Sequence, residues 1–580
     1  MRKKMKTLVA LGLSLSMLTA CGSADDTLKE SSSQEKSSEQ QSQASQSSEQ
    51  QPESPYPEYL NMDGYRPIVK EGEEVTLKIA IFANSSATTE FEDRWFYNFI
   101  EEKLNINLDV EVLSSENVGE RTNLMLGSND LPDMMFNLSI GNDEVVKYGV
   151  EEEMFLPLSD YINEELTPNI VEMLAANPEA QAASIAPDGK MYTIPQIMKK
   201  SMGNGDTLAQ TTTFVDTKYM EAAGITELPV TLDGFIDMLR AFKQLDPATM
   251  GVEEIWPMVT VRQLDGIWLQ NAFGWVTSNR KTTAVPVWDV YTDQVTIPCL
   301  QDRYLDYLTF MNTLYTEGLI HPDYFTMDQE TARAMCAGRQ AGVCSDYAPG
   351  TFNPTEFADY ICAAPIKTEW SGEGVATAYT AYNIGDILIA ADSEYPELCM
   401  RFLDYLYSPE GLVYAAAGAP AGSEDTLGMI EGYSIVDGAT HMGSEMDKYP
   451  SKIEYLYNEV MFFDYYLNED LVDKYVWEMV GEEYVDAGTT DINRLNIIET
   501  TFDYLEAPLP AVYGDTEVAA RFADLQSVIK NHVDAETAKF IVGQRPLSEF
   551  AQFQEELKAM GAEEYLEIAQ NYYKEYKRAE

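Results

Sequence analysis

Hydrophobic spacing changes repeatedly between residues 76 and 136, and each change predicts an element. Thr76-Leu-Lys-Ile-Ala-Ile-Phe82 is an apolar-rich run that reads as a strand, and it leads into the polar loop Asn84-Ser85-Ser86. Phe91, Trp95 and Phe99 then recur every fourth residue behind Thr89 and Glu92, which have the spacing of a capping box, so a helix follows. Asn107-Leu-Asp-Val-Glu-Val112 alternates as a second strand, Val118 to Leu126 predicts a helix stopped at Gly127, and Leu131-Pro-Asp-Met-Met-Phe136 predicts a third strand. This order implies parallel βαβ units, whose ligands bind beyond the carboxyl ends of the strands. Further on, Thr231 is placed to cap a helix. Ser548 opens another, whose Phe550, Phe553, Leu557 and Met560 share a face suited to packing against neighbouring helices.

The N-terminus follows a different pattern. Arg2, Lys3, Lys4 and Lys6 precede the apolar run Leu8 to Leu18, the basic and hydrophobic regions of a secretory signal peptide too short for a spanning helix. The run ends in Leu18-Thr19-Ala20-Cys21, which resembles the bacterial lipobox. That resemblance implies removal of residues 1–20 and lipidation of the Cys21 thiol, the best alkylation nucleophile among side chains. Two or more acyl chains, at about 0.8 kcal/mol per buried CH₂, hold a protein at a membrane more firmly than one. The alternative is a plain cleaved signal with an incidental Cys. Residues 21–59 are dominated by Ser, Gln and Glu and bury too little to offset ordering entropy, so they are expected to form a disordered linker. Its r.m.s. reach would be roughly 30 to 35 Å.

Composition adds exclusions. At 580 residues, 45% hydrophobic and 11% aromatic, the chain is long enough for two or three globular domains. Its 96 acidic residues against 39 basic ones leave a formal charge of -57, which repels phosphate backbones and anionic lipid and argues against a nucleic-acid partner. Besides Cys21, the cysteines Cys299, Cys336, Cys344, Cys362 and Cys399 form no C-x-x-C pair. They read as small buried hydrophobes with room for one disulfide, its pairing open. His321, His441 and His532 lie far apart, and there is no H-E-x-x-H, G-x-S-x-G, P-loop or dinucleotide fingerprint. Carboxylate pairs occur by chance in so acidic a chain, and they indicate a glycosidase only when their separation across a cleft is known.

A family resemblance emerges from motifs in order: Leu131-Pro132-Asp133, Phe155-Leu-Pro157-Leu158-Ser-Asp160, Asp188-Gly189-Lys190-Met-Tyr192-Thr-Ile-Pro195, Ala223-Gly224-Ile225, Pro229-Val-Thr231, Leu314-Tyr-Thr-Glu317-Gly318-Leu319, Gly338 to Cys344, Pro396-Glu397 and Ser408-Pro409-Glu410-Gly411. Together they resemble the extracellular solute-binding proteins of ABC importers, in particular the lipid-anchored oligosaccharide binders related to maltose-binding protein. The resemblance spans residue 76 to about 425. It implies an α/β, two-lobe periplasmic-binding-protein-like fold of type II, with discontinuous lobes joined by crossing segments. Lobe one would be 60–193 plus 384–425, and lobe two 194–383 plus 426–580 with the C-terminal helices. Tyr192 to Gln196 would form the first crossing and Tyr379 to Asn383 the return. Relatives often carry a calcium loop after the helix that here ends before Asp246. Ala248 and Met250 cannot coordinate, although Glu253 and Glu254 remain, so a surface loop with no metal is expected.

The implied function is that of a non-enzymatic, monomeric binder without cofactor, tethered by lipid at the outer face of the bacterial membrane. It would take a carbohydrate, as an oligosaccharide, between its lobes and pass it to ABC permease subunits. The alternatives are a surface glycoside hydrolase and a binding module for peptides or a sensor. Sugars present C–H faces and hydroxyl rims, so aromatic platforms beside carboxylates and amides are sought. The positions that the resemblance puts in cleft-facing loops are Asn84, Glu92, Asn137, Gln196, Trp268, Trp275, Asp346, Tyr347, Tyr379 and Tyr382, with Tyr347 as the foremost stacking candidate. Trp95, in phase with Phe91 and Phe99, is assigned to the core.

Overall fold

The computed structural model describes residues 54–574 except 84–86, 115–116, 198–208, 210–211, 262, 280–281, 347–352, 354–355, 381, 386, 437–438, 443–447, 449–454, 461–482, 485–496, 498, 511 and 515. The signal peptide, Cys21 and the linker as far as residue 53, together with Asn84, Ser85 and Tyr347, lie outside the described residues.

The apolar run Thr76–Phe82 lies between Asn107–Leu113 and Met134–Phe136, parallel to both, and Ile387–Ile389 adds an antiparallel edge next to Met134–Phe136. Ile79, Ala80 and Ile81 are all buried because both faces of this sheet are covered. Trp95, Phe99 and Phe402 belong to one cluster, and Ala80, Met125 and Leu388 to another. Three local expectations are adjusted. The third strand begins only at Met134, because Pro132 lacks an N–H and the Asp133 carboxylate turns to accept from Lys78 N at 2.8 Å. The helix Val118–Ser128 runs through Gly127 and stops at Asn129, which takes the left-handed conformation with φ 52°. The capping box does not form: the Thr89 N–H donates to Asn458 Oδ1 at 2.7 Å, and a 3-10 turn, Phe91–Asp93, precedes the helix Trp95–Phe99.

The second sheet places Ala341–Asp346 between Trp256–Thr260, to which it is parallel, and the antiparallel Thr212–Asp216; Tyr360–Cys362 completes it. Thr231 Oγ1 accepts from Gly234 N at 3.2 Å and caps the helix Leu232–Lys243, whose Phe235, Leu239 and Phe242 enter a separate core. Phe550, Phe553 and Leu557 are buried in that core. A disulfide joins Cys336, on the helix Gln329–Ala337, to Cys344 on the neighbouring strand. Cys299, Cys362 and Cys399 are buried thiols, and burial pushes the Cys362 thiol up to about 12.

Gln196–Ile197 pairs antiparallel with Tyr382–Asn383 in a ladder that belongs to neither large sheet. The C-terminal part departs from its expected placement. Ile430, Tyr433, Tyr455, Leu456 and Val460 pack in the core of the first sheet, where Ile430 and Tyr455 close against Gly418 at the end of the helix Pro409–Ala417. Phe522, Leu525 and Ile529 of the helix Thr516–Ile541 pack instead with the second core. These two described segments therefore belong to different cores. Leu505–Glu506 pairs parallel with Ala376–Thr377, and Asn142 Nδ2 donates to Val512 O at 3.0 Å.

Candidate functional site

The polar groups worth building from stand at strand ends and on the paired passages between the sheets. Met134–Phe136 ends at Asn137, whose φ of 58° is a left-handed value that Asn tolerates. Phe136 faces Ile387 in the ladder, so Asn137 stands beside the passage that arrives through Tyr382–Asn383. Asn137 is buried, and its Nδ2 has no hydrogen-bond partner among the described residues. Gln196 is 1% exposed; its Oε1 accepts from Asn383 Nδ2 at 3.4 Å, while its Nε2 has no partner among the described residues. Leaving a buried amide donor unpaired costs about 1–3 kcal/mol. Tyr382 is half-buried against the first core, and Tyr379 is half-buried against the cluster containing Phe214, Cys344 and Tyr360. Four expected residues, Asn137, Gln196, Tyr379 and Tyr382, thus sit on or beside the paired passages.

The other described candidates lie elsewhere, and the buried Trp268 Nε1 and Trp275 Nε1 also have no partner among the described residues. Trp275 is fully buried among Phe273, Tyr304 and Tyr307, with ring centroids 5.6, 6.2 and 6.0 Å away, and the Arg303 guanidinium lies 5.2 Å from its centroid. Gly274, at φ 79°, sends it inward, and a Cβ there would meet Trp370 O at 2.6 Å. Trp268 is also a core ring, set edge-on to Phe235 at 5.2 Å. Glu92 is exposed on its 3-10 turn; its backbone oxygen accepts from Asn98 Nδ2, and the predicted capping role is absent. Asp346 is buried with both oxygens engaged, accepting from Arg333 Nε at 2.8 Å and from Arg333 Nη2 at 3.0 Å.

Sequence reasoning missed two polar residues. Thr212 pairs with Asp346 in the ladder, and its buried Oγ1 has no partner among the described residues. Only burial distinguishes it from an ordinary strand Thr, so the sequence carried no signal for it. Asp265 opens the wholly buried helix Asp265–Asn271 after the strand Trp256–Thr260. Tyr324 OH donates to its Oδ2 at 3.1 Å, and Oδ1 has no partner among the described residues. Burial pushes this carboxyl up to about 6, against the smaller lowering influence of the Tyr324 hydroxyl, the nearby Thr260 hydroxyl and the backbone N–H groups of Asp265 and Gly266. In the loop considered for calcium, the Asp246 carboxylate accepts from Ala248 N at 3.0 Å and caps the turn Pro247–Met250.

Known proteins share this architecture. The fructooligosaccharide ABC transporter substrate-binding protein FusA of Streptococcus pneumoniae serotype 4 is 22% identical over 518 residues, which cover 87% of this chain and 91% of FusA. The solved FusA EF-hand mutant in complex with fructo-nystose superposes with a TM-score of 0.69 at 20% identity, covering 86% of this chain and 99% of that one. An HMO-binding ABC-transporter-associated solute-binding protein from Bifidobacterium longum infantis gives a TM-score of 0.65 at 18% identity, covering 87% of this chain and 100% of its own. The lipoprotein LipO of Bacillus subtilis is 25% identical over 229 residues, 39% of this chain and 41% of LipO. The two-lobe α/β fold is thus shared with substrate-binding proteins. The family described as bacterial extracellular solute-binding protein matches residues 84–413, more than half of the chain, and the protein belongs to that family.

Proposed function

We propose that the protein captures an oligosaccharide between its lobes, without chemical change, and delivers it to the permease of an ABC importer. The observation that carries this reading is the pair of buried amide donors, Asn137 Nδ2 at a strand end and Gln196 Nε2 on a paired passage, neither of which has a partner among the described residues. Amide donors suit hydroxyl oxygens, and flat rings suit the C–H faces of pyranose or furanose units. The name of FusA and the FusA–fructo-nystose complex support the class of ligand. The lobes we assign follow the two cores: 60–193 with 384–425 and with Ile430, Tyr433, Tyr455, Leu456 and Val460 in one, and 212–377 with the helices after 516 in the other. Closure would turn on the paired passages Gln196–Ile197 and Tyr382–Asn383, where few residues need to change φ and ψ.

Calorimetry against kestose, nystose, Man5GlcNAc and alginate oligosaccharides is expected to find at least one ligand, with a smaller radius of gyration by X-ray scattering at saturation. Absence of binding across the panel refutes the saccharide reading. An unchanged radius with bound ligand refutes closure.

The same reading places the protein at the outer face of the membrane through a lipid on Cys21, in keeping with its likeness to a lipoprotein. Cys21→Ala is expected to move the protein from the detergent phase to the aqueous phase with its melting temperature unchanged. Equal partition of mutant and wild type would remove the anchor.

A further inference from the structure

The second sheet holds polar chemistry that the site above does not use. Thr212 opens the strand Thr212–Asp216 and is 3% exposed, with an Oγ1 that has no partner among the described residues. The next residue is satisfied, since Thr213 Oγ1 and Ser345 Oγ share a hydrogen bond at 3.0 Å. Side chains alternate along a strand, so Thr212 lies on the opposite face, with Phe214 and, across the ladder, with Cys344 and Asp346. That face is covered by the helix Gln329–Ala337, which is fastened to it twice. Arg333 makes a two-pronged pair with Asp346, and one turn later Cys336 is bonded to Cys344. The ion pair stands at the carboxyl end of the parallel strands Trp256–Thr260 and Ala341–Asp346, where ligands of such sheets bind. Tyr379 packs on the same apolar cluster as Cys336 and Cys344.

We propose that Thr212 and Arg333 form the second-sheet half of the saccharide site, a hydroxyl and a guanidinium that bind sugar hydroxyls beside Tyr379, with Asp346 and the Cys336–Cys344 disulfide as positioning groups. The proposal rests on the saccharide reading above. A buried hydroxyl without a partner is costly, and a sugar hydroxyl can both donate to it and accept from it. The guanidinium is held by its carboxylate partner in a fixed plane, and the disulfide keeps the helix from sliding along the strand.

The test uses the full chain and the panel sugar that wild type binds most tightly. Thr212→Val keeps the shape and removes the hydroxyl. It is expected to weaken binding about tenfold while the ligand-free melting temperature stays level or rises, because a buried group without a partner has been removed. Arg333→Lys is expected to weaken binding too, since an ammonium cannot replace the planar fork. Cys336→Ala with Cys344→Ala is expected to weaken binding in the wild-type background and to add nothing in Arg333→Met, which separates positioning from general stability. Wild-type affinity in both Thr212→Val and Arg333→Lys overturns the half-site and leaves the saccharide reading intact. Normal affinity with a lowered melting temperature in Thr212→Val assigns that residue to the fold and overturns its part. Wild-type protein that binds no sugar of the panel overturns the saccharide reading and the half-site together.

Discussion

Trp275→Ala is expected to cost about 3–5 kcal/mol of stability and to leave the saccharide affinity of the folded protein unchanged. The ring is fully buried, stacked at 5.6 Å on Phe273 and enclosed by Tyr304 and Tyr307. Truncation removes its transfer free energy and opens a cavity that three large aromatic neighbours cannot easily fill. It also removes the ring beneath Arg303, which is paired with the buried Asp289. Trp275→Phe retains a ring and should lose less. Denaturant unfolding with calorimetry on the same samples checks both halves of the expectation. A variant of normal stability that has lost its sugar would return Trp275 to the site.

The difference between Trp275 and Tyr382 explains what could be read from sequence. Strand Thr76–Phe82 and the buried face Phe550-Phe553-Leu557 follow from local periodicity, and the Thr231 cap from a single hydroxyl at the right spacing. These depend on neighbours within a few residues. The capping box at Thr89 failed because its N–H is claimed by Asn458, 369 residues away in sequence. The same blindness affected the aromatics, because a ring in a core and a ring on a ligand platform obey the same preference for apolar surroundings. Asn137 and Gln196 were nominated by position relative to a strand end and a crossing, and the structure places both there, buried. Thr212 was silent, because a hydroxyl becomes conspicuous only when it is buried without a partner. The C-terminal segment shows the limit most plainly. Ile430, Tyr433, Leu456 and Val460 are apolar in sequence, as are Phe522, Leu525 and Ile529, yet the two sets pack in different cores, and no periodicity tells a buried face what will cover it.

Below neutral pH, Asp265 is expected to make the protein more stable as acid is added, until other carboxyls titrate. Its side chain is fully buried at the start of the helix Asp265–Asn271, with one oxygen bonded by Tyr324 OH and the other without a partner among the described residues. Loss of water penalises the carboxylate, and its pKa rises from 3.8 to about 6. The folded chain therefore holds this proton more tightly than the unfolded chain. The stability it contributes is fully present below about pH 4 and is lost as pH rises through about 6, a swing of roughly 3 kcal/mol. Asp265→Asn keeps the shape and cannot ionise, so it should be insensitive to this step. Urea unfolding of both proteins from pH 4 to 8 isolates the effect, because every other titrating group is common to the pair. The wild type is expected to lose stability relative to Asp265→Asn between pH 4 and 7 by about that amount. A stability difference that stays constant with pH would show that Asp265 ionises in the folded protein as it does in water, and that its pocket admits solvent.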